Sequence, residues 1–297
     1  MTKKKVDKVY QKKIEGIKVD GEKFADSAMK LVYLEQKAAM VELQSIIGKA
    51  YLEHSKDGAM VLTTAQQKRL MTRLRANLKE IGLKLGKNEV EKVTSTLAGV
   101  FSSTYYQNAF VLESGLRVNL KFTLLKKEFV SAAVNAKYKG ELFSDRIWKN
   151  KALMIDRLQS NLTDAVQGKT TIDKVGRTIR DQFNVTAYES SRLVRTENAR
   201  IQSQAIDDIA RSAGVAQQMY SATLDEDTNP EDASYDGTIY SVDDPKKPGI
   251  PLHPNCRCVY INVPFEGWSP TNRKDNATKG VVAYTNYADW AKAKGIK

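Results

Sequence analysis

Apolar residues recur at helical spacing through the first two thirds of the chain. From Phe24 to Leu52 they fall at Leu31, Leu34, Ala38, Val41 and Ile46 with no Pro between them, which predicts an amphipathic helix. Ser55-Lys56-Asp57-Gly58 reads as a turn. Gln66 to Leu85 repeats the helical period through Leu70, Leu74, Leu78 and Ile81, and Asn88 to Leu112 predicts a third long helix. Ser144 to Val166 carries Ile147, Trp148, Met154, Ile155, Leu158 and Leu162, with Gly168 to close the helix. Thr171 is placed to cap a short helix holding Ile172, Val175, Ile179 and Phe183 and ending near Asn184. A separate helix from about Ala187 to Ala213 has Val194, Ile201, Ala205 and Ile209 on one stripe and Gly214 as its stop.

The pattern then changes. Met219 to Leu224, Thr238 to Val242 and Arg257 to Val263 favour strands and are separated by Asp, Asn, Gly and Pro clusters. The remainder, from Phe265, is mostly polar, with a short apolar set at Tyr287, Trp290 and Ile296. The expected fold is mainly α with a small α+β C-terminal module: an N-terminal helical bundle, then long helices and a short antiparallel sheet. The expected divisions are a basic, loosely attached arm over 1–23, a helical domain over 24–140, a helical part over 141–215, a β-containing module over 216–264 and a polar segment over 265–297.

Composition narrows the function classes. The 297 residues hold 47 Lys+Arg against 35 Asp+Glu, a net charge of +12, with 17 Gly and 7 Pro, which excludes collagen-like and fully disordered classes. Lys3, Lys4, Lys5, Lys8, Lys12 and Lys13 break up any apolar core of a secretory signal, so export by that route is not expected. The longest uncharged stretch, Val93 to Leu112, carries too many Ser, Thr, Asn and Gln for a membrane span, and no membrane partner is expected. The charge is uneven, because the first 23 residues are basic while Asp225 to Asp244 holds acids and no Lys or Arg. Those six lysines are the candidate nucleic-acid contacts, and contact of this kind is independent of base sequence.

Candidate chemistry concentrates in His253-Pro254-Asn255-Cys256-Arg257-Cys258, which contains both cysteines and one of two histidines. Structural zinc wants four nitrogen or sulfur donors, and this stretch offers three at most. In an extended strand Cys256 and Cys258 would point to opposite faces. The expected reading is one buried structural cysteine and one ordinary one, with no metal and no cofactor, and zinc stands as the alternative. A catalytic Cys–His pair would need a third group to orient His253, and none is identifiable. Asp225-Glu226-Asp227-Thr228-Asn229-Pro230 imitates a calcium loop but has Pro where the sharp turn requires Gly. Arg195, Glu197 and Arg200 cluster on one helix, where Glu197 and Arg200 can pair across one turn; a structural ion pair fastening this helix to the β-containing module is expected. Phosphate-loop, dinucleotide-loop, zinc-protease and nucleophile-elbow motifs do not occur.

Several segments in order carry a resemblance. They are Phe143-Ser144-Asp145-Arg146-Ile147-Trp148-Lys149-Asn150, Gly168-Lys169-Thr170, Arg195-Thr196-Glu197-Asn198-Ala199-Arg200, Leu224-Asp225 with Asp236-Gly237, and Pro251-Leu252-His253-Pro254-Asn255-Cys256-Arg257-Cys258. With these the chain, from about Phe143 to Trp290, resembles the Mu F-like phage head morphogenesis proteins. The resemblance implies a minor head protein present in few copies near the portal, inside the virion head, and in the host cytoplasm during assembly. Its implied partners are portal protein, scaffold or major capsid protein, with viral double-stranded DNA as a further candidate. It also implies a C-x-x-C before the Asp-Gly that would join the later His and Cys in a metal or thiol cluster. Here those positions are Asn229 and Asp232, leaving at best an incomplete site of Asp232, His253 and Cys256. The structural motif residues are therefore Arg195, Glu197, Arg200, Asp225, Asp236, Gly237, His253, Pro254, Cys256 and Cys258, none of them catalytic. The rival reading is an enzyme acting on nucleotides or phosphodiesters through Arg195, Glu197 and Arg200.

Overall fold

The structure is a computed structural model and describes residues 10–116 and 120–295. Long helices dominate, as the pattern indicates: α1 (Tyr10–His54), α2 (Thr64–Leu116), α3 (Lys127–Val134), α4 (Phe143–Val166) and α5 (Ile172–Ser212). Strands β1 (Ser55–Lys56) and β2 (Ala59–Met60) form the turn expected at Asp57-Gly58, where both residues take positive φ, as a tight two-residue hairpin requires. After α5 come β3 (Gln217–Ser221), α6 (Pro230–Tyr235), β4 (Ile239–Ser241), β5 (Val259–Asn262), β6 (Asn272–Lys274), β7 (Val281–Ala283) and α7 (Tyr287–Lys294). The chain forms two compact units: one from 27–95 and 137–193, the other from 1–26, 96–136 and 194–297.

The first unit is all helix apart from the β1–β2 hairpin. Its core takes Ala39, Leu43 and Ile47 from α1, Leu74, Leu78 and Ile81 from α2, Met154, Leu158 and Leu162 from α4, and Val175, Ile179 and Phe183 from α5. In each helix these residues are three or four apart, the spacing that lines up one face. The face of α1 differs from the expected one. Val32, Ala39, Leu43 and Ile47 are buried, whereas Leu31, Leu34, Ala38 and Val41 lie on the exposed side. The helical period is correct, but α1 is apolar on two opposite sides and only one of them packs.

Two breaks read from the sequence are absent. α2 runs unbroken through Gly86, and α5 through Asn184. Neither helix contains Pro, and Gly86 serves packing instead of punctuation. A Cβ added there would stand 2.2 Å from the Trp148 ring, and one added at Gly82 would stand 2.8 Å from Ile155. The two glycines let α4 lie close against α2. Beside them is a buried ion pair, Lys151 Nζ to Glu89 Oε2 at 2.5 Å. Gln36 donates to Glu89 and to Ser190 Oγ, so the charges are embedded in a polar cluster.

The second unit holds the β-containing module. Its main sheet is antiparallel with order β4-β3-β5, pairing Met219 with Ile239 on one side and with Ile261 on the other. β4 and β5 lie within the stretches expected to be strands, and β3 overlaps its stretch but begins two residues earlier, at Gln217. The mostly polar segment over 265–297 is structured within its described residues: β6 and β7 form a second hairpin, and Arg273 and Asp275 are buried together with Trp290 of the expected apolar set. The loosely attached arm needs correction over its described part. Residues 10–23 begin α1, with Tyr10, Ile14 and Ile17 buried and the Tyr10 hydroxyl donating to the Asn262 carbonyl at 2.9 Å. Lys12 is exposed on this helix and Lys13 half-buried, while Lys3, Lys4, Lys5 and Lys8 lie outside the described residues. No helix among the described residues is long and apolar enough to cross a membrane.

Gly86→Ala is expected to lower stability by ~1–3 kcal/mol, the usual cost of forcing atoms into a packed interior. Chemical denaturation of the variant, alone and combined with Trp148→Leu, checks this, because the smaller side chain should recover part of the loss. Equal stability of Gly86→Ala and the parent would contradict the packing role.

Candidate functional site

The motif stretch on α5 lies in a part of the helix that is buried almost all round. Thr196, Glu197, Asn198, Ala199, Arg200, Ile201 and Gln202 are all buried, so their polar atoms must find partners inside the protein. Glu197 accepts from Arg200 Nε at 2.7 Å. The guanidinium also donates to the carbonyls of Ala133 at 3.0 Å and Val134 at 3.3 Å, in the buried last turn of α3. The expected ion pair is present, but it clamps α5 to α3 and not to the β-containing module. The link to that module comes one residue earlier, where Thr196 Oγ1 accepts from the Asn255 amide at 3.2 Å. Gln202 donates to the carbonyls of Ile17 and Lys18 and accepts from Lys18 Nζ. Gly21 is needed beside it, since a Cβ there would stand 2.1 Å from the Gln202 amide.

Arg195 faces a cleft of about 540 Å³ whose walls include Glu22 and Asp26 of α1, Asn229 and Asp232 of α6, and the loop His253 to Cys258. Arg195 meets both carboxylate oxygens of Asp26, at 3.2 and 3.4 Å. On another wall Arg257 binds Asp225 with two hydrogen bonds, at 2.6 and 2.9 Å. The calcium-like stretch is thereby accounted for. Its first carboxylate is held by Arg257, and Asn229 caps α6 by accepting from the Glu231 amide, with Pro230 at the first helical position.

At the floor of the cleft the structure brings together Asp232, His253 and Cys256, with one ligand atom of each lying within 4.8 Å of the others. Asp232 is buried; one oxygen accepts from the Tyr220 hydroxyl at 2.7 Å and the other is 2.6 Å from His253 Nε2. His253 Nδ1 is 2.9 Å from the Pro254 carbonyl. Both partners of the ring are acceptors, so the imidazole satisfies both only when doubly protonated. Burial alone would pull its pKa down, but the bond to Asp232, the bond to the Pro254 carbonyl and the Asp232 charge outweigh it, and the pKa lies above the ordinary imidazole value. Both ring nitrogens are engaged, and Asp232 favours the protonated form of His253.

The cysteines depart from their expected geometry. Residues 256–258 are not a strand, and Asn255 in a left-handed conformation (φ 61°) turns the chain just before them. Both thiols are buried and both line the cleft. A hydrogen bond from Cys258 favours the Cys256 thiolate and lowers its pKa despite burial, while the same bond and burial push Cys258 up.

The metal cluster implied by the family does not fit this donor set as a closed site. Among the described residues three donors gather, Asn229 uses its amide oxygen to cap α6, and both Asp232 oxygens already have partners.

Asp236-Gly237 forms the structural centre of the module. Asp236 and Arg273 are an ion pair at 2.7 Å with both side chains about 1% exposed. Asp236 also accepts from the amides of Ala222 and Tyr287, and Arg273 donates to the Thr285 carbonyl and Ser221 Oγ. Gly237 takes φ +80°, donates to the Tyr220 carbonyl, and leaves room for the Tyr284 hydroxyl, 2.8 Å from where a Cβ would stand. Arg273 carries no motif and sits in a polar stretch, so nothing in the sequence marks it. Tyr220 is hidden in the same way, as one more aromatic residue in a strand.

Residues 156–261 match the family described as Phage Mu protein F like protein, which is the phage head morphogenesis family indicated by the ordered motifs. The chain also aligns over 220 residues, at 26% identity, with the NAD(+)--arginine ADP-ribosyltransferase EFV of Enterococcus faecalis (strain ATCC 700802 / V583), covering 67% of this chain and 45% of that protein. It therefore spans less than half the length of that relative. No solved structure matches the chain.

Arg273→Met should destabilise the protein by ~3–5 kcal/mol, because Asp236 is left as a buried uncompensated charge. Asp236→Asn combined with Arg273→Met should recover part of this in thermal melts, and a single-variant loss under ~1 kcal/mol would refute the pairing. A second expectation concerns pH. A histidine whose pKa is raised by folding contributes fully below the unfolded value and loses that contribution as pH rises through the folded value. The stability difference between the parent and His253→Gln should therefore shrink as pH rises through and beyond the ordinary imidazole range. Denaturation at a series of pH values measures it, and a difference that grows with pH would contradict the assignment.

Proposed function

We propose that this protein is a phage minor head protein, a virion structural and head-assembly component carried in few copies near the portal and inside the head. The observation that carries this reading is the internal use of the motif residues. Glu197 and Arg200 are spent on one another and on α3, His253 on Asp232 and a carbonyl, and Asp236 on Arg273. Motifs employed this way hold a fold together, as a building block of a particle requires. Portal, scaffold or major capsid protein are the partners proposed. The net charge of +12 and exposed Lys12 support non-specific contact with the packaged DNA as an additional role.

The enzyme reading has less support. Its carboxylate, Glu197, is about 1% exposed and ion-paired, and Arg195 is the member of its triad that lines the cleft. The ADP-ribosyltransferase activity is in the name of a relative that this chain covers by less than half.

Quantitative mass spectrometry of purified full virions tests the proposal. The protein should be present at a few copies per particle and should persist after stringent washing and nuclease treatment. Its absence from full particles, together with abundance in the infected-cell lysate, would overturn the reading.

A further inference from the structure

We propose that the exposed side of α1 is a self-association surface, through which two copies of this chain pair side by side with their α1 helices parallel. Between residues 31 and 52 this side presents Leu31, Leu34, Ala38 and Val41, followed by Ser45, Gly48 and Leu52. The steps along it alternate three and four residues, the heptad spacing of a two-stranded coiled-coil seam. No seam position is charged. Leu31, Leu34, Val41 and Leu52 are 54%, 61%, 53% and 88% exposed, while the opposite side of the same helix fills the core through Leu43 and Ile47. A Cβ built at Gly48 meets no atom within 4 Å, so that end of the seam is open. At 1.5 Å per residue the seam is ~30 Å long. Its apolar part, from Leu31 to Val41 with Leu52 at the far end, is an aligned row and not the scatter of single apolar residues usual on a protein surface.

The charges flanking the seam select the occupant. Taking Leu31 and Leu34 as the two apolar positions of a heptad, Lys30 and Lys37 fall on one flank and Glu35 and Glu42 on the other. When two copies run parallel, each flank faces the opposite flank of its partner, offset by five residues. Lys30 then meets the second copy's Glu35, and Lys37 meets its Glu42, twice over by symmetry. In an antiparallel pair the flank of Lys30, Lys37 and Gln44 would face its own counterpart and lose every Lys–Glu contact, leaving at most Glu35 or Glu42 against Lys49 on the other flank. The same pattern argues against a lipid surface as occupant, since a membrane-binding helix carries basic residues on both flanks. Small residues at Ala38, Ser45 and Gly48 let the two backbones approach closely but contribute little apolar area. The pairing is accordingly modest in strength and dependent on concentration.

Sedimentation equilibrium of the full chain over a range of concentrations tests this, using two charge-reversed variants. Lys30→Glu with Lys37→Glu places acids on both flanks, and Glu35→Lys with Glu42→Lys places bases on both. All four positions are exposed or half-buried, and unchanged circular dichroism confirms folding. The parent should approach twice its chain mass, each variant alone should remain at the chain mass, and an equimolar mixture of the two should return to twice the chain mass. For orientation, Leu31→Cys and Ser45→Cys should each crosslink to their own counterpart in a second copy under mild oxidation, which only a parallel pair permits at both sites. A parent that stays monomeric throughout, variants that associate as well as the parent, or crosslinking at neither position would overturn the proposal.

Discussion

The buried Asp236–Arg273 pair is the interaction on which the β-containing module depends. Its two charges are shielded from water and are stable there only because every neighbouring segment supplies a hydrogen-bond partner. The end of β3 contributes the Ala222 amide and Ser221, the approach to α7 contributes the Thr285 carbonyl, and α7 begins with the Tyr287 amide. Two segments far apart in sequence, 221–222 and 285–287, are thus fixed around one ion pair. Such a pair gives little net stability compared with apolar packing, but it tolerates few alternative arrangements, because each leaves a buried charge unmet. Asp236 follows directly on α6, so the position of that helix, and with it Asp232 at the cleft floor, is set by the same contact.

A second constraint of the same kind operates along α5. A helix buried all round can carry Glu, Arg and Gln only at a cost unless their polar groups are met internally. Here Arg200 supplies donors to the last carbonyls of α3, and Gln202 bridges to the backbone of α1 at Ile17 and Lys18. The motif residues are best understood as fasteners at the points where elements cross. Two arginines at the cleft are held in ion pairs, Arg195 with Asp26 and Arg257 with Asp225.

The all-helical unit follows a different rule. Its core is apolar and periodic, and the close approach of α4 to α2 depends on the missing side chains of Gly82 and Gly86. α1 is the exception to simple amphipathicity. It buries one apolar side and leaves a second, of heptad spacing and flanked by opposite charges, turned outward.

The sequence by itself determined the helical period, the three main strands, the Asp57-Gly58 turn and the likeness of residues 156–261 to the Mu F-like proteins, because each of these rests on local spacing or on ordered motifs. The packed side of α1 was decided only by the tertiary structure. Both sides satisfy the same periodicity, and choosing Val32 and Leu43 over Leu31 and Val41 depends on what lies opposite. The continuity of α2 through Gly86 was likewise invisible, since glycine reads as a break until Trp148 is seen to fill its place. In the site, the pairing of Glu197 with Arg200 was legible because one helical turn fixes it. The carbonyls that share Arg200, the His253–Asp232 contact and the role of Arg273 were not, because they join residues between 21 and 67 positions apart, where only the folded chain sets the distance.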